Sequence, residues 1–396
     1  MTLRVRYLWL TRVMPYPPHK AGDVNYSRGL IENLAHLADV EVLGLRTAAV
    51  QAPVLPGVKW TEMDHALPSQ QASVMSSLPN VAHQNVSRAF LAKAGAMAAD
   101  VQAIVIDNIA MAWCAIPLTR MLGRSRPPVI MVNHNFETAM RPGLRGATSS
   151  PAMKAVLAWD GWKAARLERA ANRAVDAYTA ITPADLDSFR RLAPGKPAQL
   201  LMPGYDGPRV AHRIISSGTP RRVSIIGGRG TFYKKMILHN LLQALHTAGI
   251  ERHVAVDVVG GGLEADLPAL RTRFPGFHFT GFVDDLPAYM QTSRLGIVAD
   301  SIGGGFKIRA LNHVFLRLPM LALREALEGM QLRPGIDYVP AVALQELASR
   351  LLTVVDDLDL LNATHNAAYA RYDQMFDWRD RMRAFHSFVQ GLRRAA

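Results

Sequence analysis

The chain has 396 residues, room for two domains of about 100–200 residues each, and a composition of 49% hydrophobic and 19% charged residues excludes disorder. A single cysteine, Cys114, excludes an internal disulfide and a cysteine-built zinc site. The net charge of +13 calls for an anionic partner. With neither zinc-finger spacing nor an RNP-type strand, diphosphate ligands or an anionic lipid surface are expected rather than nucleic acid.

In chain order, residues 4–10 read as a first strand rather than a signal peptide, since no small-residue cleavage site follows them. A Pro-rich loop comes next, then a helix over 25–37 with Leu30, Leu34 and Leu37 at helical spacing. Strands are predicted over 40–45, 103–107 and 129–133, a long helix over 152–175 and a strand over 177–181. The most apolar stretch, 103–117, is broken by Asp107 and Asn108 and is shorter than the roughly 20 residues of a membrane span. No crossing of a membrane is expected, and a reducing, cytoplasmic setting fits. The pattern breaks at 202–206, and a turn-rich stretch follows with Ser216, Ser217, Gly218, Thr219 and Pro220. Strands are then predicted over 222–226, 254–259, 277–280, 295–299 and 320–323, with helices over 236–246, 286–291, 308–315 and 344–356. Strand–helix alternation in both halves predicts two parallel sheets covered by helices, with ligands at the carboxyl ends of the strands.

Four strand-end loops carry residues suited to chemistry. Asp300 is followed by Gly303, Gly304 and Gly305, then Lys307 and Arg309 at a predicted helix start. Glycines let the backbone approach an anion, and helix-start N–H groups point at it. The loop after 222–226 reads Gly227-Gly228-Arg229-Gly230, with Lys235 six positions after Arg229. Such cations can stabilise the charge that develops on a departing diphosphate. His134, Asn135 and Glu137 follow the strand at 129, and Gly22 lies in the loop after the first strand. Asp185-Leu186-Asp187 has the Asp-x-Asp form of a metal site, but it falls at a predicted helix start, where Asp caps.

The order of these blocks resembles family-4-type retaining glycosyltransferases of the GT-B architecture. Gly304-Gly305, Lys307 and Arg309 fall on that family's donor signature, its ribose-binding glutamate falls on Asn312, and its glycine falls on Arg317. Gly228, Arg229 and Lys235 match its phosphate clamp, and Val132-Asn133-His134-Asn135-Phe136-Glu137 is similar to its Asp-Ala-His-Asn-x-Glu segment. Pro203-Gly204-Tyr205-Asp206 and Asp377-Trp378 match its domain junction and closing helix.

The resemblance implies an α/β fold of two Rossmann-like domains facing a central cleft. It places the acceptor domain at 1–205, a linker at 206–220, the nucleotide-sugar domain at 221–375, and a helix returning to the first domain at 376–396. His134, Arg229 and Lys235 would be catalytic. Gly22, Gly228, Gly304, Gly305, Lys307, Arg309 and Asn312 would bind the donor, and Asn135 and Glu137 the acceptor. Transfer would retain the anomeric configuration by same-face attack, with the leaving phosphate as base and neither metal nor cofactor. The expected partners are a nucleotide sugar, a saccharide or lipid-linked acceptor for exported or surface polysaccharide, and the anionic inner face of the plasma membrane. Asn312 and Arg317 leave open a catalytically weak partner subunit, and the fold leaves open a nucleotide-sugar epimerase.

Overall fold

The computed structural model describes residues 4–17, 22–46, 51–69, 71–146, 148–230, 232–300 and 306–395. They form two units, Met1–Gly204 with Phe376–Ala396, and Tyr205–Met375. In the first unit, β1 (Arg6–Thr11), β2 (Asp39–Arg46), β3 (Val58–Asp64), β4 (Ala103–Asp107), β5 (Val129–Val132), β6 (Ala177–Ala180) and β7 (Ala198–Leu200) make one parallel sheet. Its order is β3-β2-β1-β4-β5-β6-β7. The central strands are near-continuous apolar runs because both faces are covered. Every residue of β4 and β5 is buried, as is β1 from Tyr7 onward.

Strand order reverses between β1 and β4, the point at which a doubly wound sheet opens a crevice at its carboxyl edge. Register fixes what stands there. Leu10 lies opposite Ile106 and Asp107 opposite Val132, so Arg12, Asn108 and His134 leave the sheet along the same edge.

The closing helix Trp378–Ala395 belongs to this unit and buries Met382, Phe385 and Val389 along one face. Trp378 lies against two glycines. A Cβ at Gly29 would stand 2.3 Å from its Cζ2, and one at Gly204 would stand 2.3 Å from its Cγ. Both positions therefore need the smallest residue. At Asp185 the expectation of a capping role needs correction. The helix Pro183–Leu192 is capped by Thr182, whose hydroxyl accepts from the Asp185 N–H at 3.1 Å, while the Asp185 carboxyl lies within the first turn.

The second unit repeats the plan with β8 (Arg222–Ile226), β9 (Ala255–Val259), β10 (Phe277–Gly281), β11 (Leu295–Val298), β12 (Met320–Leu323) and β13 (Val339–Ala341). All pairs are parallel, in the order β10-β9-β8-β11-β12-β13, and the switch point lies between β8 and β11. The predicted strands at 222, 254, 277, 295 and 320 coincide with β8 to β12 within a residue or two at each end.

Candidate functional site

Beside the switch point of the second unit, the glycine turns after β8 and β9 pack backbone on backbone. The Gly227 N–H donates to Val259 O and the Arg229 N–H to Gly261 O, both at 2.9 Å. Gly260 and Gly262 have φ of +125° and +92°. A Cβ on Gly260 would lie 2.5 Å from Gly227 O, and one on Gly262 would lie 2.7 Å from Gly230 N. Gly227, at φ +137°, is where the side chains converge: its lack of a Cβ leaves room for Nη1 of both Arg229 and Arg309. A Cβ on Gly228, the glycine singled out by the sequence, would meet nothing within 4 Å. The steric demand therefore falls on Gly227.

Arg229 is only 5% exposed and donates to Gly227 O at 2.5 Å. Burial, reinforced by the charge of Arg309 and opposed by Asp300, brings its pKa down to about 10. Arg309, in the first turn of the helix Ile308–Phe315, is ion-paired with Asp300 just past the end of β11. Lys307 precedes that helix. Burial lowers its pKa to about 8, with Arg309 and Lys234 adding to the effect and Asp300 working against it. Asp300 therefore faces three cations, with a fourth within electrostatic reach. Buried like charges gathered in this way mark a place for an anion.

The other residues expected at the donor are placed as follows. The Lys235 ammonium pairs with Asp266 at 2.6 Å, and it is the preceding Lys234 whose charge reaches Lys307. Asn312 lies in the Ile308–Phe315 helix, where its Oδ1 accepts from the Tyr205 hydroxyl at 3.0 Å. Tyr205 in turn stacks on Phe315 with ring centroids 4.4 Å apart. Gly304 and Gly305 lie outside the described residues. Arg317, on the family's glycine position, holds the glycine-like φ of +53°. Its guanidinium is fixed by Asn366 Oδ1 at 2.6 Å, Val210 O at 2.8 Å and the Tyr369 ring at 3.8 Å.

In the first unit, His134 is 5% exposed, with Nε2 2.7 Å from Asp107 Oδ1 and Nδ1 3.4 Å from Asn108 Nδ2. The carboxylate favours the Nε2–H tautomer, which leaves Nδ1 as acceptor. Tyr26 meets the ring edge-on at 4.9 Å. Asn108 reaches this place with φ +74°, its Oδ1 accepting from the Ala110 N–H. Across the edge, Asp23 pairs with Arg12 at 2.5 Å. Burial would raise the Asp23 carboxyl, but the charge of Arg12 and its hydrogen bond hold it below its ordinary range.

Gly22 opens the helix Gly22–Leu34 in the open, where a Cβ would meet nothing within 4 Å. Asn135 is half-buried on the turn after His134. The Glu137 carboxylate pairs with Arg141 at 2.9 Å, while its N–H donates to the buried Glu168 at 2.7 Å. Asp107, the partner of His134, shows in the sequence only as a break in an apolar run.

No protein-family model and no curated protein matches the sequence. Solved structures do resemble it along its whole length. Sucrose-phosphate synthase from Thermosynechococcus elongatus is 16% identical with a TM-score of 0.72, covering 99% of this chain and 100% of that one. HepE of Anabaena, solved in complex with UDP-glucose, is 15% identical with a TM-score of 0.67, covering 98% and 99%. WaaG, a glycosyltransferase involved in lipopolysaccharide biosynthesis, is 13% identical with a TM-score of 0.65, covering 97% and 100%. The chain thus has the fold of the GT-B glycosyltransferases, two α/β domains each built on a parallel sheet.

Proposed function

We propose that the protein is a glycosyltransferase that moves a hexose from a nucleotide-diphosphate sugar to a saccharide or lipid-linked oligosaccharide. The observation that carries this reading is the cluster of Arg229, Lys307 and Arg309 around the carboxylate of Asp300, beside the glycine turns of β8 and β9. Breaking a sugar–phosphate bond leaves negative charge on the diphosphate, and fixed cations in a poorly hydrated setting stabilise that charge as it forms. HepE's complex with UDP-glucose supports a UDP-sugar as donor. The resemblance to the family-4 type supports retention by same-face attack without a metal or cofactor. In the first unit, the Nδ1 edge of His134, held by Asp107, is suited to accept a bond from a sugar hydroxyl in place of the long contact to Asn108. Asn135 and Glu137 follow it as acceptor contacts. WaaG's role in lipopolysaccharide biosynthesis supports a part in surface polysaccharide, and the +13 charge supports work at an anionic membrane on its cytoplasmic side.

A second reading has one observation in its favour. The Asn312 amide is already bonded to the Tyr205 hydroxyl, which suits a subunit that binds a nucleotide sugar and turns it over poorly. A thermal-shift screen with UDP-glucose, UDP-glucuronate and GDP-mannose, followed by donor-hydrolysis assays, tests both. A ligand bound only by the native state raises the melting temperature by mass action. Sugar transfer predicts a shift with one donor, lost in Arg229→Ala, together with hydrolysis or transfer. A shift without turnover would support the weak subunit, and no shift with any donor would end both readings.

A further inference from the structure

The helix Pro151–Ala174 buries Ala164, Leu167 and Ala171 toward its C-terminal half yet leaves its large aromatics outside. Trp159 is 45% and Trp162 52% exposed, and the two rings stack with centroids 4.9 Å apart and planes 9° from parallel. The apolar surface continues along the same ridge to Val156 and Met153, and across to Val74 and Met75 of the neighbouring short helix Ala72–Met75. Met75 is 90% exposed, and the Trp159 indole N–H donates to Val74 O at 3.0 Å, tying the two helices into one patch. Contiguous exposed apolar surface of this kind marks a binding face, and tryptophan pairs suit the zone between water and lipid.

Charge identifies the partner. Arg166 and Arg169, four and seven positions on from Trp162, share its helix face, and the Arg166 guanidinium lies 5.7 Å from the Trp162 ring. Arg166, Arg169, Lys154 and Arg145 are all exposed, and among the described residues none lies within pairing distance of a carboxylate. The local acids are occupied: Glu137 and Asp160 by Arg141, and Glu168 by the N–H groups of Glu137 and Thr138. Among the described residues no helix is long and apolar enough to cross a membrane.

We infer that the patch of Trp159, Trp162, Val74 and Met75, ringed by Arg166, Arg169 and Lys154, docks the protein on an anionic bilayer. The indoles enter the headgroup zone and the cations lie over acidic phosphates. The inference rests on the reading that the protein works at an anionic membrane and is independent of sugar transfer.

Co-sedimentation with phosphatidylcholine vesicles, with and without phosphatidylglycerol, tests it on the full chain. Binding is expected only with phosphatidylglycerol, with a blue shift of tryptophan emission and a steep loss in high salt. Trp159→Ala with Trp162→Ala should weaken partitioning by roughly tenfold, and Arg166→Gln with Arg169→Gln by a similar factor. Circular dichroism and UDP binding should be unchanged in both. Wild-type binding that both double variants retain would overturn the docking patch and leave the membrane reading standing. Failure of the wild type to bind any vesicle would overturn both. A concentration-dependent dimer abolished by the tryptophan variant, without vesicle binding, would make the patch a self-association face and overturn the proposal.

Discussion

Lys307 shows how a single side chain can report on the proposed anion site. Its pKa of about 8 follows first from burial and then from the charges of Arg309 and Lys234. A bound diphosphate stabilises the protonated form, so the pKa is higher in the complex than in the free protein. Affinity is then full below about pH 8 and is lost as pH rises through the bound-state value, with proton uptake on binding between the two. Titration with UDP across that range should show the decline, and Lys307→Met should flatten it. An affinity that rises with pH in the wild type would contradict the placement.

His134 makes a different prediction. Asp107→Asn leaves the buried ring without its charged acceptor, and stability should fall by about 1–3 kcal/mol in urea unfolding. UDP affinity should be unchanged, because the Asp300 cluster proposed to hold the diphosphate lies in the other unit. His134 itself stands out in the sequence because it follows a strand. Asp107 is hidden there because its pairing joins the ends of two different strands, a tertiary fact with no local signature.

At the scale of elements, one glycine and one arginine carry testable steric arguments. Gly29→Ala drives a methyl into Trp378 and should destabilise the docking of the C-terminal helix by about 1–3 kcal/mol. Limited proteolysis should then release the segment that begins near Phe376. Arg317 keeps a glycine-like turn without being glycine, and its two hydrogen bonds and ring contact compensate for the conformation. Arg317→Ala, which keeps the unfavourable φ and loses the contacts, should cost about 2–3 kcal/mol. Arg317→Gly should cost less, by about 1 kcal/mol, because the strain is relieved; chemical denaturation of the pair measures the difference.

The strands that stand out most plainly in the sequence have both faces covered, such as β4 (Ala-Ile-Val-Ile-Asp) and β5 (Val-Ile-Met-Val). β3 escaped because it is an edge strand, half-buried over most of its length, with Lys59, Glu62 and Asp64 among its apolar residues. β7 and β13 escaped because three residues are too few to show a period.

Over the whole chain, the motifs are legible through their order, because a doubly wound sheet delivers its loops to one edge in a fixed sequence of strands. Arg229, Lys307 and Arg309 come together at one such edge. Spacing alone selects Lys235, whereas the folded helix gives Lys235 to Asp266 and sets Lys234 toward the cluster. Adjacent helical residues point about 100° apart, so a one-residue difference decides which side chain reaches the site. The proposed sugar transfer turns on whether the Asp300 cluster holds a pyrophosphate. Isothermal titration of UDP, UMP and uridine against the wild type and Arg229→Ala measures that most directly. UDP should bind at least tenfold more tightly than UMP, a difference of about 1.4 kcal/mol, and Arg229→Ala should remove most of that margin. Equal affinity for UDP and uridine, or a margin that survives Arg229→Ala, would contradict it.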